Sequence, residues 1–401
     1  MKNVRKFAPL VLGLALVIAY SDRTHAFSKQ DIPTLPATTA ATSTSSAGLA
    51  TSKAAALELA LREAVLKAGV PSMSAAIAHG GEIRWAGSYG WANIAGRELA
   101  SPATRYRTGS MAKPITAMAM MRLVDRGLLN LDAPLGTSID GLPEASRSIT
   151  PRQLASHVSG IRHYSMGEIL SGTFGLKRPK HYASVADGLD VFIGDRLRFA
   201  PGTDFLYSTW GYSLLSRKLE LAASSPFPQL LQVFVFEPCG MHDSMLDSPA
   251  PMKDRATFYQ AEQGRYSVAE EMDTSNRIAG GGLVSTPSDL VRLGMCAAKE
   301  GFLSKSARNT MWTPTKLADG RPNPQNYALG WRIDSSVRML GKDKPTPIIH
   351  HGGIQEGGVG FLVIAPDLDI TVAVMSNSGT NSAREAVQEA AYELARQLNA
   401  H

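Results

Sequence analysis

The sequence predicts an α+β molecule: an antiparallel sheet built from both ends of the chain and covered by helices, with a second, mainly helical lobe made by the middle. Three observations carry this. Near the N-terminal end, SMSAAIAH (72–79) and EIRWAG (82–87) flank Gly80-Gly81, and a two-glycine turn between short apolar segments signals a hairpin. Near the C-terminal end, GFLVIAP (360–366) and ITVAVMSN (370–377) flank Asp367-Leu368-Asp369 in the same way. Between about 126 and 280 the chain instead shows many Gly, Pro and short helical patches, with few clear strands.

The elements follow in order. MKNVRK is a positive segment, and FAPLVLGLALVIAY (7–20) is an apolar run of 14 containing Pro9, too short to span a bilayer. Small residues Thr24 and Ala26 follow in the positions of a cleavage site. Residues 1–26 therefore read as a signal peptide cut after Ala26, which sends the protein to the periplasm or outside the cell. Residues 27–52 read as a flexible linker, because PTLPATTAATSTSSAGLATS is uncharged and has little apolar surface to bury. Leu57, Leu61, Ala64, Val65 and Ala68 recur at helical spacing, and Gly69 ends that helix. After the C-terminal hairpin, SAREAVQEAAYELARQL is helical, with Ser382 and Glu385 spaced as a capping box. Residues 53–125 and 281–401 thus form the α/β lobe, and residues 126–280 form the helical lobe. The cleft between lobes is where a site is expected.

Composition narrows the function. The chain has 401 residues, 44% hydrophobic and 19% charged, which is ordinary globular composition. Its net charge of +6 owes half to the first 26 residues, and the body has no Lys/Arg-rich run. This argues against nucleic-acid or anionic-membrane partners. No later segment is long and apolar enough for a membrane span. Cys239 and Cys296 could pair in an exported chain, but their spacing says nothing about distance, and two buried free thiols are the slightly preferred reading. With neither C-x-x-C nor H-E-x-x-H present, no metal is expected, and nothing calls for a cofactor. Oligomeric state is not legible.

The chemistry concentrates in TGSMAKP (108–114). Pro114 fits only if a helix starts close to Ser110, because in a first turn its missing N–H costs nothing. Ser110 then faces free backbone N–H groups and the positive end of the helix dipole. Lys113, at i+3, lies on the same face. A partly desolvated amine there has its pKa lowered and can take the serine's proton. Most serines at helix starts are caps, but this is the only Ser-x-x-Lys in the chain.

Two further segments are candidates. In FAPGTDFLYSTWGYSLL (199–215), Tyr207 follows a Pro-Gly turn and precedes a helical run. A phenol beside an ammonium can shuttle protons, although a buried tyrosine with a satisfied hydroxyl is the plainer reading of Tyr207 alone. In PIIHHGGIQEGGVGFLVIAP (347–366), a strand leads into His350-His351-Gly352-Gly353, where glycines let a ligand approach the backbone. His79-Gly80-Gly81 also satisfies His-x-Gly, but without the preceding strand and following Gly357-Gly358.

In this order the three motifs resemble the serine β-lactamase and penicillin-binding protein superfamily, specifically its class C β-lactamase and D-alanyl-D-alanine carboxypeptidase branch, which also contains esterases. The resemblance spans about residues 53–398. ITPRQLASHVSGI, GGGLVSTPSDLVRLG and YALGW are similar to that branch, and YRTGSMAKPIT and FLYSTWGYSLL resemble its mitochondrial members. The resemblance implies a β-lactamase/transpeptidase-like fold with Ser110 as acylated nucleophile. Lys113 and Tyr207 exchange its proton and later activate water. His350 stands as the third motif's cation, and the N–H groups of Ser110 and Gly353, beside Gly352, form the oxyanion hole. His157 in SHVSGI occupies a recurrent position and reads as structural.

The departures decide between substrates. The family's Tyr-x-Asn is Tyr-x-Thr here, so Thr209 keeps one hydroxyl and loses the amide that would bind a peptide or β-lactam arm. The third motif carries His in place of Lys and so lacks a permanent cation for a substrate carboxylate. Lys-Thr-Gly and Ser-x-Asn do not occur, which argues against class A enzymes, and there is no Gly-x-Ser-x-Gly elbow. The expectation is an exported serine hydrolase acting through an acyl-enzyme on ester, amide or peptide carbonyls, with esters and small peptides favoured over β-lactams. The alternatives are a D-alanyl-D-alanine carboxypeptidase acting on peptidoglycan peptides and a non-catalytic binding or scaffold protein on the same fold.

Overall fold

A computed structural model describes residues 30–35, 42–168, 180–340 and 344–399. The N-terminal segment read as a signal peptide lies outside them. The framework elements are β1 (Thr42–Ser45), α1 (Thr51–Ala68), β2 (Ser72–His79), β3 (Glu82–Asn93), α2 (Ala112–Asp125), α3 (Thr209–Ala223), α4 (Pro287–Ala298), β4 (Arg332–Ser336), β5 (Thr346–Gln355), β6 (Gly358–Ala365), β7 (Ile370–Ser376) and α5 (Asn381–Asn399).

The strands form one antiparallel sheet in the order β4-β5-β6-β7-β2-β3-β1, with Glu98–Leu99 paired onto β3. C-terminal strands supply one half and N-terminal strands the other, joined where β7 pairs with β2. Gly80 and Gly81 both have positive φ, 67° and 73°, as the tight turn between β2 and β3 requires. Every residue of β6 and β7 is buried. Such strands are apolar on both faces because helices cover both, and alternation sorts their side chains. Phe361, Val363, Val372 and Val374 pack with Leu57, Leu61 and Val65 of α1 and Val387 and Leu394 of α5. Leu362, Ile364, Ala373 and Met375 pack on the other face with Met111, Ile115, Leu290 and Leu293. The segment between α2 and α4 is mostly short helices and turns, with α3 its longest helix.

Three expectations fail. The supposed linker contains strands: Gln30–Asp31 pairs with Arg265 and Tyr266, and β1 pairs with Trp85–Ser88 as a sheet edge. Edge pairing uses main-chain groups, so a Thr/Ser-rich segment can join a sheet without burying apolar side chains. The α5 cap is Thr380, whose Oγ1 accepts the Ala383 N–H at 3.3 Å, two residues before the expected Ser382. Cys239 and Cys296 are joined in a disulfide, Cα–Cα 5.8 Å, between a short helix (Glu237–Cys239) and α4. Among the described residues no helix is long and apolar enough to cross a membrane.

The disulfide closes a loop across a sequence separation of 57 residues. Replacing both cysteines by serine is expected to cost about 2–4 kcal/mol of unfolding free energy. Denaturant melts of the oxidised protein and the variant measure it, and equal midpoints would count against a stabilising role.

Candidate active site

Ser110 lies in a single 3₁₀ turn, Gly109–Met111, that runs directly into α2. Gly109 has φ 48°, and a Cβ there would come within 2.8 Å of both the main-chain N and O of Ile354. Pro114 is the third residue of α2, inside the first turn, where no intrahelical acceptor is lost. Ser110 is partly exposed, whereas Lys113 is fully buried. The Lys113 Nζ is 3.1 Å from Ser110 Oγ, 2.7 Å from the Gly280 carbonyl and 3.4 Å from Thr209 Oγ1. Among the described residues no carboxylate pairs with it. Burial, and then the positive charge of Arg332, hold its pKa well below the ordinary lysine value.

Tyr207 stands on the other side of the serine. Its phenol hydrogen-bonds Ser110, and its ring centroid is 4.8 Å from Lys113 Nζ. Burial raises its pKa, so the phenol keeps its proton at neutral pH. Thr209 is the first residue of α3, capped by Ser208, whose hydroxyl accepts the Gly211 N–H. The Thr209 N–H donates to His163 Nδ1 at 3.2 Å. Burial, with the Lys113 and Arg162 charges, takes His163 down to about 3, so its ring is neutral.

The histidine pair divides by strand alternation. His351 shares a face of β5 with Gly353, where a Cβ would come within 1.9 Å of the Thr108 carbonyl, so this face meets the Ser110 turn. His350 points to the opposite face, 5.5 Å ring to ring from Phe361, and hydrogen-bonds Asp334 Oδ2 at 2.7 Å. The expected third-motif residue His350 is therefore not with Ser110, Lys113 and Tyr207. His351 is, its ring 6.4 Å from that of Tyr207. Yet His351 is no cation: Nδ1 is 2.6 Å from the Gly352 carbonyl, to which it must donate, and Nε2 accepts the Tyr327 hydroxyl at 2.8 Å. Burial and the Lys113 charge lower its pKa further. Gly352 follows His351 on the His350 face of the strand, where a Cβ would make only ordinary contacts, at 3.8 Å.

Arg332 carries the permanent charge the motif lacks. It begins β4 directly opposite His350, and its guanidinium lies 5.5 Å from the Tyr327 ring centroid. Its charge depresses Lys113, His157 and His351 and lowers Tyr207. No carboxylate forms an ion pair with it among the described residues. Sequence reasoning missed Arg332, Tyr327, His163, His351 and the Gly280 carbonyl. Tyr327 and Gly280 lie in segments already singled out, YALGW and GGGLVST, while His163 and Arg332 belong to no readable spacing.

A family model described as Beta-lactamase matches residues 55–397. Penicillin-binding protein 4* of Bacillus subtilis (strain 168) is 25% identical over 292 residues, covering 69% of this chain and 61% of its own length. The chain thus spans about three fifths of that relative. The mitochondrial serine beta-lactamase-like protein LACTB of Homo sapiens is 23% identical over 380 residues, covering 75% of this chain and 69% of its own. A D-aminopeptidase of Gluconobacter oxydans is 26% identical over 316 residues, 77% and 56%. Among solved structures, the octameric penicillin-binding protein homologue from Pyrococcus abyssi aligns with TM-score 0.69 at 26% identity, over 83% of this chain and 75% of that one. A D-stereospecific amidohydrolase from Streptomyces shares the fold, with TM-score 0.67 at 24% identity over 84% and 98%.

An amine acts as a base only when neutral, and a lowered pKa makes Lys113 neutral at lower pH. Acylation of Ser110 is therefore expected to rise with pH through that lowered value and level off above it. Lys113→Arg, which cannot lose its proton, should cost about 10³-fold or more. The pH dependence of covalent probe labelling measures both. An acylation rate that falls as pH rises across the neutral range would contradict the assignment.

Proposed function

The chain belongs to the β-lactamase family of serine hydrolases, and on that premise we propose that it is an exported hydrolase that acylates Ser110 with ester, amide or small-peptide carbonyls bearing a carboxylate. The observation that carries the reading is the sharing of Ser110 Oγ between the Lys113 amine and the Tyr207 phenol. A neutral amine has two N–H donors and one lone pair. The Gly280 carbonyl can only accept, and Thr209 Oγ1 is the second acceptor, so the lone pair is left for the Ser110 O–H.

The steps follow from these contacts. Ser110 Oγ attacks the carbonyl as its proton passes to Lys113 Nζ. The oxyanion is held by the N–H of Ser110 and by a main-chain N–H of the Gly353–Ile354 segment of β5, which lies against the Ser110 turn. The Tyr207 phenol donates its proton to the leaving group and regains one from the Lys113 ammonium. Water, deprotonated by the same pair, then releases the acyl group.

Arg332 supports a substrate carboxylate as the recognised group, and Thr209, with one hydroxyl, supports esters and small peptides over the amide arm of a β-lactam. A carboxypeptidase acting on peptides with a free C-terminus is the second reading, favoured by the same guanidinium. The disulfide supports export, because cytosolic thiols are kept reduced.

Ser110→Ala is expected to abolish fluorophosphonate labelling and p-nitrophenyl ester turnover; unchanged turnover would remove Ser110 from the mechanism. Arg332→Ala is expected to raise KM about tenfold or more for carboxylate-bearing substrates while leaving neutral esters within about threefold. Penicillins, nitrocefin, short esters, D-amino acid amides and D-Ala-D-Ala peptides on one preparation measure it. Equal effects on charged and neutral substrates would refute the carboxylate assignment.

A further inference from the structure

We propose that His157 is the positioning residue that aims the Tyr207 phenol at Ser110, and that it does so as the neutral tautomer carrying its proton on Nε2. The inference rests on the role given to Tyr207 above.

His157 grips the chain on both sides of Tyr207. Its carbonyl accepts the Leu206 N–H at 2.9 Å, and its Nδ1 accepts the Ser208 N–H at 3.1 Å. Its ring stacks, tilted 41°, at 4.2 Å from the Tyr207 ring. The residue before the tyrosine, the residue after it and its side chain are thus all held by one histidine. That histidine has φ 64°, left-handed backbone that few residues other than Gly adopt readily. The conformation turns its carbonyl and its ring toward the same neighbouring segment, which continues as Gly202 N–H to the Val158 carbonyl at 2.7 Å.

The tautomer follows from chemistry. A main-chain N–H can only donate, so Nδ1 bears no proton, and a neutral ring carries it on Nε2. Nε2 is fully buried with no hydrogen-bond acceptor among the described residues. The imidazole is surrounded instead by rings, centroid to centroid 4.5 Å from Tyr327, 5.3 Å from Tyr212 and, edge-on, 6.0 Å from Phe205. An imidazolium there would lose the Ser208 bond, be buried without a counter-charge and feel the positive charge of Arg332, so the site selects the neutral form. Burial in this ring cluster also stops Tyr207 from swinging away from Ser110.

The test is a double-mutant cycle with a tautomer measurement. His157→Asn tolerates the left-handed backbone and keeps an oxygen near the Nδ1 position, but removes the ring. It is expected to lower kcat about 10–100-fold with KM within about threefold, and to retain covalent labelling of Ser110 at a reduced rate. Tyr207→Phe should lose about 10²-fold or more. If His157 acts through Tyr207, the double variant is no worse than Tyr207→Phe alone. Losses that multiply would overturn the proposal, as would an His157→Asn variant with full activity. A Tyr207→Phe loss below threefold would instead remove the phenol from the mechanism, and the failure would then lie in the reading beneath. In the unmutated protein, ¹⁵N NMR of labelled histidine should show His157 protonated at Nε2 and unprotonated at Nδ1 across the neutral range. The reverse pattern would refute the proposal without recourse to any variant.

Discussion

The site is organised around a lysine amine buried without a carboxylate. Taking an ammonium out of water costs several kcal/mol unless an opposite charge repays it. Lys113 has a carbonyl, a threonine hydroxyl and a serine hydroxyl, none of them charged. The cheaper state is the neutral amine, and the fold stabilises it by drawing three separate segments to one nitrogen. The Ser110 turn and α2 bring the lysine, the start of α3 brings Thr209, and the short helix Ile278–Gly281 brings the Gly280 carbonyl. Because each contact comes from a different part of the chain, the base exists only when the sheet-bound and helical portions are closed on each other.

That closure depends on missing side chains. A Cβ at Gly353 would meet the Thr108 carbonyl at 1.9 Å, one at Gly109 would meet the Ile354 backbone at 2.8 Å, and one at Gly280 would meet the Thr209 methyl at 2.6 Å. These glycines let the β5 edge, the nucleophile turn and the α3 start approach at backbone distance. Arg107, fully buried just ahead of the turn, fastens the same junction. It reaches Asp247 at 2.9 Å, Glu271 at 2.8 Å and the Glu356 carbonyl at 2.7 Å, with its guanidinium 4.2 Å from the Phe258 ring. It thereby joins the strand entering Ser110 to the β5–β6 turn and to the loop before Gly280.

Much of this was legible in the sequence where a residue has few allowed settings. Pro114 constrains where α2 begins, Gly80-Gly81 marks the hairpin, and alternating apolar segments at both ends imply one sheet. Fold and family followed from those. The third motif was ambiguous for a definite reason. In His350-His351-Gly352-Gly353 both histidines satisfy His-x-Gly, and one position along a strand reverses the face, so the doubled histidine hides the parity that decides between them. The disulfide was illegible because sequence separation carries no distance. β1 was missed because edge pairing depends on main-chain groups that composition does not weigh.

Arg332 places a permanent positive charge near a site whose third motif carries a histidine. The sequence alone suggests a site without a permanent cation, since a histidine stands in the third motif. The structure gives that histidine a purely neutral task, with both ring nitrogens committed to Gly352 and Tyr327. It also sets the guanidinium of Arg332, from the neighbouring edge strand β4, 5.5 Å from the Tyr327 ring and near enough to depress Lys113. A guanidinium stays charged at any working pH and offers a planar fork to a carboxylate, which an imidazole at this depth cannot do. The same charge helps keep the Lys113 amine unprotonated. A substrate carboxylate docked against Arg332 would partly cancel that effect and raise the amine's proton affinity at the moment Ser110 must give up its proton. On the proposed reading, substrate recognition and base strength are coupled through one arginine, whose charge already reaches Lys113.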